Sequence, residues 1–200
     1  MEQYFTQNPT TEKEIYKFDW NIGTERFYFY SSNSVFSKSG MDFGSMLLVE
    51  TVIRENEGYN GDILDLGCGY GPIGIILAKS LNNSKITMSD VNERALELCL
   101  MNAKENKVQD RVKVIKSSAF ENISEKFDIV VTNPPIRAGK DVIFSFYEGA
   151  YEHLNEGGKL YVVIQKKQGA PSTKTKLESL FGNCETADKK SGYFIFKAIK

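Results

Sequence analysis

Residues 63–74, Ile-Leu-Asp-Leu-Gly-Cys-Gly-Tyr-Gly-Pro-Ile-Gly, constrain this chain more than any other stretch. Ile63 to Leu66 read as a buried strand, and Pro72 onward, with Ile73, Ile75, Ile76 and Leu77, as a helix. Glycines at 67, 69 and 71 allow positive φ in the intervening turn and let a ligand approach bare backbone. Pro72 suits a first helical position, where no amide donor is missed. The free amides at that helix start form a site for a carboxylate or phosphate. Asp65 falls at the carboxyl end of the strand, the edge where open α/β sheets bind ligands. Gly69-x-Gly71-x-x-Gly74 also satisfies the dinucleotide pattern, so a nicotinamide or flavin site stays open at this point.

A chain of 200 residues, 41% hydrophobic and 26% charged, reads as one soluble domain with a substantial core. Met1-Glu-Gln-Tyr-Phe lacks the basic region and apolar core of a signal peptide, and no apolar run approaches the roughly 20 residues of a membrane helix. The three cysteines, Cys68, Cys99 and Cys184, are an odd number without CxxC spacing. They suggest no disulfide partner, no zinc ribbon and no metal site, in a reduced, cytoplasmic setting. Net charge is −1, which gives no global sign of a nucleic-acid partner, but from Lys159 to Lys200 nine lysines face three acidic residues. That strip is either an anion-binding face or solvated surface.

Residues 1–35 read as an appended β-hairpin and 36–200 as one catalytic unit. Ile15-Tyr-Lys-Phe-Asp-Trp20 and Arg26-Phe-Tyr-Phe-Tyr30 alternate around Asn21-Ile-Gly-Thr24, a hairpin signal. The hairpin covers one end of the main unit or, alternatively, exposes aromatics for stacking on RNA bases. A helix follows to about Asn56, capped by Ser45 or Asp42. Beyond Asp62, strands at 63–66, 85–90, 112–115, 127–132, 159–164 and 193–196 alternate with helices, including one from Val142 to Leu154 that Gly157-Gly158 ends. Alternating βα units predict a doubly wound, mostly parallel sheet. His153, beside Leu154 in a helix, reads as structural.

Asp90 ends the second of these strands, about 20 residues past the glycine loop, where a carboxylate can accept from both ribose hydroxyls of a cofactor. Its other reading is a cap for the helix at Asn92 to Arg94. Thr132-Asn133-Pro134-Pro135-Ile136 is more specific. Residues before proline are pushed into extended conformations, and neither proline offers an amide donor. What remains is a set of acceptors, the Asn133 carboxamide and the Pro134 carbonyl. These can bind the two hydrogens of a weakly nucleophilic exocyclic amine and aim its lone pair at a methyl group.

Asp65-Leu-Gly-Cys-Gly-Tyr-Gly71 resembles the first motif of class I S-adenosylmethionine-dependent methyltransferases. With Asn133-Pro-Pro-Ile136, it resembles those acting on adenine N6, guanine N2 or glutamine N5. Asn133-Pro-Pro-Ile-Arg-Ala-Gly-Lys140, with Val35-Phe-Ser-Lys38, Asp42-Phe-Gly-Ser45, Asp90-Val-Asn92 and Gln165-Lys-Lys-Gln-Gly-Ala-Pro-Ser172, is similar to the "methyltransferase small" domain of bacterial 16S ribosomal RNA guanine-N2 methyltransferases. The resemblance implies a Rossmann-like α/β fold: a mostly parallel seven-stranded sheet, helices on both faces and a small N-terminal hairpin extension. It implies S-adenosylmethionine as cofactor, S-adenosylhomocysteine as product, and no metal. It places Asp65, Gly67, Cys68, Gly69 and Gly71 at the methionine end and Asp90 and Val91 at the ribose. Ser118, Ala119 and Phe120 would border the adenine, and Phe36 and Ser37 would close over the cofactor. Asn133 and Pro134, with Pro135 and Ile136, would hold the target amine, Asn133 also lining the cofactor site. Arg137, Lys140, Lys166 and Lys167 would meet phosphates of ribosomal RNA or a small ribosomal subunit. The chain departs from the family at Ser118, where many methyltransferases carry an acidic residue, and in lacking the additional N-terminal domain of larger members.

The resulting function is methyl transfer to an exocyclic amine, with guanine N2 of 16S ribosomal RNA as the first substrate. A glutamine-N5 or small-molecule amine methyltransferase and a non-catalytic RNA-binding relative are the alternatives. The sequence leaves open the nucleotide, the choice between naked RNA and assembled subunit, and whether the chain is a monomer or homodimer.

Overall fold

The computed structural model describes residues 15–32 and 41–200. Its centre is a seven-stranded sheet in the order β5-β4-β3-β6-β7-β9-β8. The strands are β3 (Asp62–Leu66), β4 (Lys85–Asp90), β5 (Val112–Lys116), β6 (Phe127–Thr132), β7 (Leu154–Gln165), β8 (Glu185–Lys190) and β9 (Tyr193–Ile199). All pairings from β5 to β7 are parallel, and β9 runs antiparallel to both of its neighbours. The α/β sheet expected from the alternating patterns is therefore observed, with one reversed strand.

Helices cover both faces. α1 (Phe43–Glu55), α2 (Pro72–Ser80) and α3 (Glu93–Glu105) pack on one face, with Leu48, Ile75, Leu77 and Cys99 fully buried. α4 (Lys140–His153) and α5 (Ala170–Phe181) cover the other, around Leu64, Tyr147, Leu160 and Leu177. The alternation along β3 decides this division. Ile63 joins the first cluster while Leu64 and Leu66 join the second, so Asp65 points to the α2 side.

The hairpin is real: β1 (Ile15–Ile22) and β2 (Glu25–Ser32) pair antiparallel from Ile15↔Ser32 to Ile22↔Glu25. Its inner face, with Phe27 and Phe29 fully buried, extends the α1–α3 core. Asn102 of α3 and Asn106, the helix's C-cap one helical turn later, fasten the hairpin's edge. Asn102 Oδ1 accepts from the Tyr30 amide and Nδ2 donates to the Tyr30 carbonyl; Asn106 repeats the pattern on Tyr28. The side chains thus imitate a neighbouring strand and satisfy backbone groups that a sheet edge would leave open.

Two expectations fail near the carboxyl end. Helix α4 ends at His153, and Leu154 to Gly158 open strand β7 rather than stopping a helix. The glycines are strand residues because Gly157 N–H donates to Lys200 O and Lys200 N–H to Gly158 O. Strand β8, Glu-Thr-Ala-Asp-Lys-Lys, was not expected. It is an edge strand with no fully buried residue, so it shows no apolar alternation to read. Among the described residues no helix is long and apolar enough to cross a membrane.

Candidate active site

The site is built where strand order reverses, at the carboxyl ends of β3 and β6. β3 leads to β4 on one side while β6 and β7 continue on the other, which opens a crevice between neighbouring loops. After β3 the chain turns through Gly67, Gly69 and Gly71, all at positive φ. Gly67 and Cys68 amides both donate to Ser89 O at 2.9 Å, which holds the turn against β4. At Gly71, φ is 88° and a Cβ would lie 2.6 Å from Cys99 Sγ, so no other residue fits there without displacement. Pro72 then opens α2 at its first positions, as expected.

Asp65 is 1% exposed and faces the start of α2. Its Oδ2 accepts the Gly74 amide at 2.8 Å, while its Oδ1 is buried with no partner among the described residues. Burial pushes the carboxyl up to about 7, the Asp90 charge adds to the rise, and the Gly74 N–H opposes it. A buried acceptor without a donor is costly, and here it stands ready for a ligand's N–H group.

Asp90 is buried at the end of β4. Its Oδ2 accepts from the Gly69 amide at 2.9 Å and its Oδ1 from Asn92 N–H at 2.9 Å. The helix cap itself is Asn92, whose side chain accepts from Ala95 N–H, so the capping role considered for Asp90 belongs to Asn92. Asp90 joins the glycine loop to the β4–α3 turn, with half-buried Val91 between them.

Beyond β5, Ser117 N–H donates to Asp90 O at 3.0 Å, bringing Ser118, Ala119 and Phe120 to the same edge. Ala119 is left-handed at φ 48°, held by the Ser117 hydroxyl on its carbonyl at 2.8 Å. The Phe120 ring stacks on His153 at 4.4 Å and lies against Gly149 of α4. Both His153 ring nitrogens face backbone carbonyls, Gly149 O and Ile123 O, which fits its structural reading.

At the end of β6, Thr132 donates its hydroxyl to Leu66 O at 2.9 Å, tying Asn133-Pro-Pro to the start of the glycine turn. Asn133 Nδ2 donates to Ser45 Oγ at 2.9 Å and to Asp42 Oδ2 at 3.3 Å. Asp42 caps α1, accepting from the Gly44 and Ser45 amides, so of the two caps considered it is the one used. Among the described residues nothing donates to Asn133 Oδ1 or to the Pro134 carbonyl. Residues 36 and 37, the expected Phe36 and Ser37 closure, lie outside the described residues.

Pro135 and Ile136 lead into a short 3-10 turn, Ile136–Ala138. A cavity of about 200 Å³ opens beside Ile136, lined also by Lys140, Phe144, Gln168 and Ser172. Arg137, Lys140, Lys166 and Lys167 are all exposed after β6 and β7, adjacent strands. The lysine-rich strip is not one face. Lys189 and Lys190 end β8 beside the Gly192 turn, whose carbonyl accepts from Lys166 N–H, so they share the Asn133 edge of the sheet. Lys159 and Lys197 instead bond Asn56 and Glu55 at the opposite edge. Among the described residues no group of three His, Cys, Asp or Glu stands together to hold a metal, and the three cysteines are free thiols.

A glycine turn after β3, a site at the switch point and one reversed strand define a Rossmann-like class I methyltransferase fold. The chain belongs to the methyltransferase small domain family, which it matches over residues 26–197. It is 44% identical over 201 residues to YbxB, an uncharacterized protein of Bacillus subtilis (strain 168), covering 100% of this chain and 98% of that one. It is 38% identical over 138 residues to ribosomal RNA small subunit methyltransferase C of Haemophilus influenzae (strain 86-028NP), covering 67% of this chain and 40% of that enzyme. The solved T. thermophilus 16S rRNA N2 G1207 methyltransferase (RsmC), in complex with AdoMet and guanosine, aligns with a TM-score of 0.84 and 25% identity. That alignment covers 96% of this chain and 52% of RsmC. The chain thus spans about half, or less, of these ribosomal RNA methyltransferases.

Proposed function

We propose that this chain transfers a methyl group from S-adenosylmethionine to an exocyclic amine, with guanine N2 of 16S ribosomal RNA as the substrate. The observation that carries the reading is the polarity of Asn133: its Nδ2 is engaged by Ser45 and Asp42, while among the described residues Oδ1 and the Pro134 carbonyl are left as acceptors. Two acceptors beside a glycine-lined crevice suit a group with two N–H hydrogens.

The residues fit the cofactor. Asp65 Oδ1, without a partner among the described residues, would accept from the cofactor's ammonium group, and the Gly67–Gly71 turn offers backbone where a Cβ would intrude. Asp90 would take the ribose, Val91 beside it, with Ser118, Ala119 and Phe120 toward the adenine. When bound, S-adenosylmethionine supplies a methyl group on positively charged sulfur. Asn133 Oδ1 and Pro134 O would hold the amine's hydrogens and point its lone pair along the line of transfer. The acceptors need no strong base, because an amine becomes acidic once it is methylated and gives its proton to water. Orientation of this kind is worth up to about 7–11 kcal/mol in ideal cases.

Arg137, Lys140, Lys166 and Lys167, joined by Lys189 and Lys190, would position RNA phosphates without reading sequence. The hairpin would be an extension of the catalytic unit that begins near residue 36. Ribosomal RNA named for the H. influenzae and T. thermophilus relatives supports the substrate class. The test compares wild type with Asn133→Ala for cofactor binding and for methyl transfer to small-subunit RNA. The proposal expects unchanged binding and a loss of transfer of about 10²–10³-fold, as for removal of one preorganised hydrogen-bonding group; surviving turnover would refute it.

A further inference from the structure

We infer that Asp42 and Ser45 are positioning residues that set which way round the Asn133 carboxamide faces, and so make the site select a hydrogen-bond donor. The inference rests on the amine-transfer reading above and deepens it.

An asparagine side chain has an acceptor end and a donor end of nearly the same shape, so its direction is dictated by its neighbours. Asp42 sets that direction. Its carboxyl accepts four hydrogen bonds: Gly44 N–H and Ser45 N–H on Oδ1, Ser45 Oγ at 2.6 Å and Asn133 Nδ2 at 3.3 Å on Oδ2. Because the Ser45 hydroxyl hydrogen is committed to Asp42, its lone pairs are what Asn133 meets at 2.9 Å. Both neighbours are therefore acceptors toward Asn133. Only the NH₂ end satisfies them; the reversed carboxamide would put oxygen against a carboxylate oxygen with no hydrogen between.

The consequence is chemical. With Nδ2 spent, Oδ1 faces away from α1 as an acceptor, in company with the Pro134 carbonyl. A substrate –NH₂ is matched, whereas a carbonyl presented at the same place meets two acceptors. The network also joins the first turn of α1 to the end of β6 across 88 and 91 residues of sequence. Ser45 is buried, which shields the bond from water.

Polarity exchange tests the inference. In Asp42→Asn the new carboxamide still accepts from the Gly44 and Ser45 amides, but it offers N–H toward Asn133, whose own carboxamide must then reverse. We expect kcat on the amine substrate to fall about 100-fold, the scale of a misplaced reacting group, with cofactor affinity by calorimetry within threefold of wild type. Asn133→Asp should fall similarly, since its carboxylate would face Asp42. The double variant Asp42→Asn/Asn133→Asp restores donor to acceptor and should regain at least about tenfold over either single variant. Wild-type kcat in Asp42→Asn, a double variant no better than the singles, or a cofactor affinity that falls with kcat would each overturn the inference.

Turnover is not the only readout. The Asn133 side-chain amide, identified in ¹H–¹⁵N spectra by its loss in Asn133→Asp, should exchange slowly in wild type and rapidly in Ser45→Ala. Rapid exchange in wild type would overturn the positioning role whatever the substrate. Slow exchange in a chain that methylates no RNA amine would keep the positioning and reject the reading of the substrate instead.

Discussion

The Gly74 amide donates to Asp65 Oδ2 at 2.8 Å, and the other oxygen of the same carboxyl is buried without a partner among the described residues. Burial raises this carboxyl from its ordinary value near 3.8 to about 7. The folded chain therefore holds a proton that the unfolded chain has already lost, and the fold without ligand loses stability as pH rises from near 4 through 7. An ammonium group seated on Oδ1 would favour the ionised form. Cofactor binding at pH 6 should then release a proton, measured by calorimetry in buffers of different ionisation heat, and Asp65→Asn should abolish the release. Proton uptake, or release unchanged in Asp65→Asn, would contradict this role.

Asp90 bridges Gly69 N–H of the glycine turn and Asn92 N–H at the start of α3. Its removal would take away the proposed cofactor contact together with the anchor of the glycine turn. Asp90→Ala should weaken S-adenosylmethionine binding at least about tenfold, the worth of one charge-assisted bond. Affinity within twofold of wild type would reduce Asp90 to a loop fastener.

Arg137, Lys140, Lys166 and Lys167 lie exposed at the carboxyl edge of β6 and β7. Replacing all four by neutral residues should weaken RNA binding and lower the slope of log affinity against log salt by roughly one for each phosphate no longer neutralised. Lys159→Gln, at the opposite edge, should leave the slope unchanged. Equal slopes for wild type and the fourfold variant would return these residues to ordinary surface charge.

Asn102 is fully buried and bonds the Tyr30 amide, the Tyr30 carbonyl and the Tyr70 carbonyl. Asn102→Ala leaves those groups without partners inside the protein. Destabilisation of about 2–3 kcal/mol is expected in urea unfolding. A loss below about 0.5 kcal/mol would mean that the Asn102 bonds add little to what the aromatic face and Asn106 already hold.

The sheet was legible where local pattern and burial agree. Leu64-Asp-Leu66 before the glycines and Phe127 to Thr132 are strands with both faces covered, so their apolar runs announce them. Strand β8 was illegible because its six residues carry four charges and are held by the ladder to β9. Gly157-Gly158 misled because its pairing with Lys200 comes from the end of the chain. At the site, Asp65, Asp90 and Asn133 could be singled out from loop motifs that bring each to the same sheet edge. What they bond to could not. Asp42 and Ser45 looked like rival caps, and only the packing of α1 across β7 and β9 brings its first turn to Asn133 at the end of β6. The lysine strip read as one feature because sequence adjacency hides that β9 reverses, sending Lys190 and Lys197 to opposite edges.

The central claim is methyl transfer to an RNA amine, and one experiment meets it directly. Labelled methyl from S-adenosylmethionine is offered to unmodified small ribosomal subunits and to naked 16S RNA, followed by nucleoside analysis. The account predicts label in N2-methylguanosine with wild type and its loss with Asn133→Ala. Cofactor binding without label in either RNA substrate would contradict it and point to a different amine.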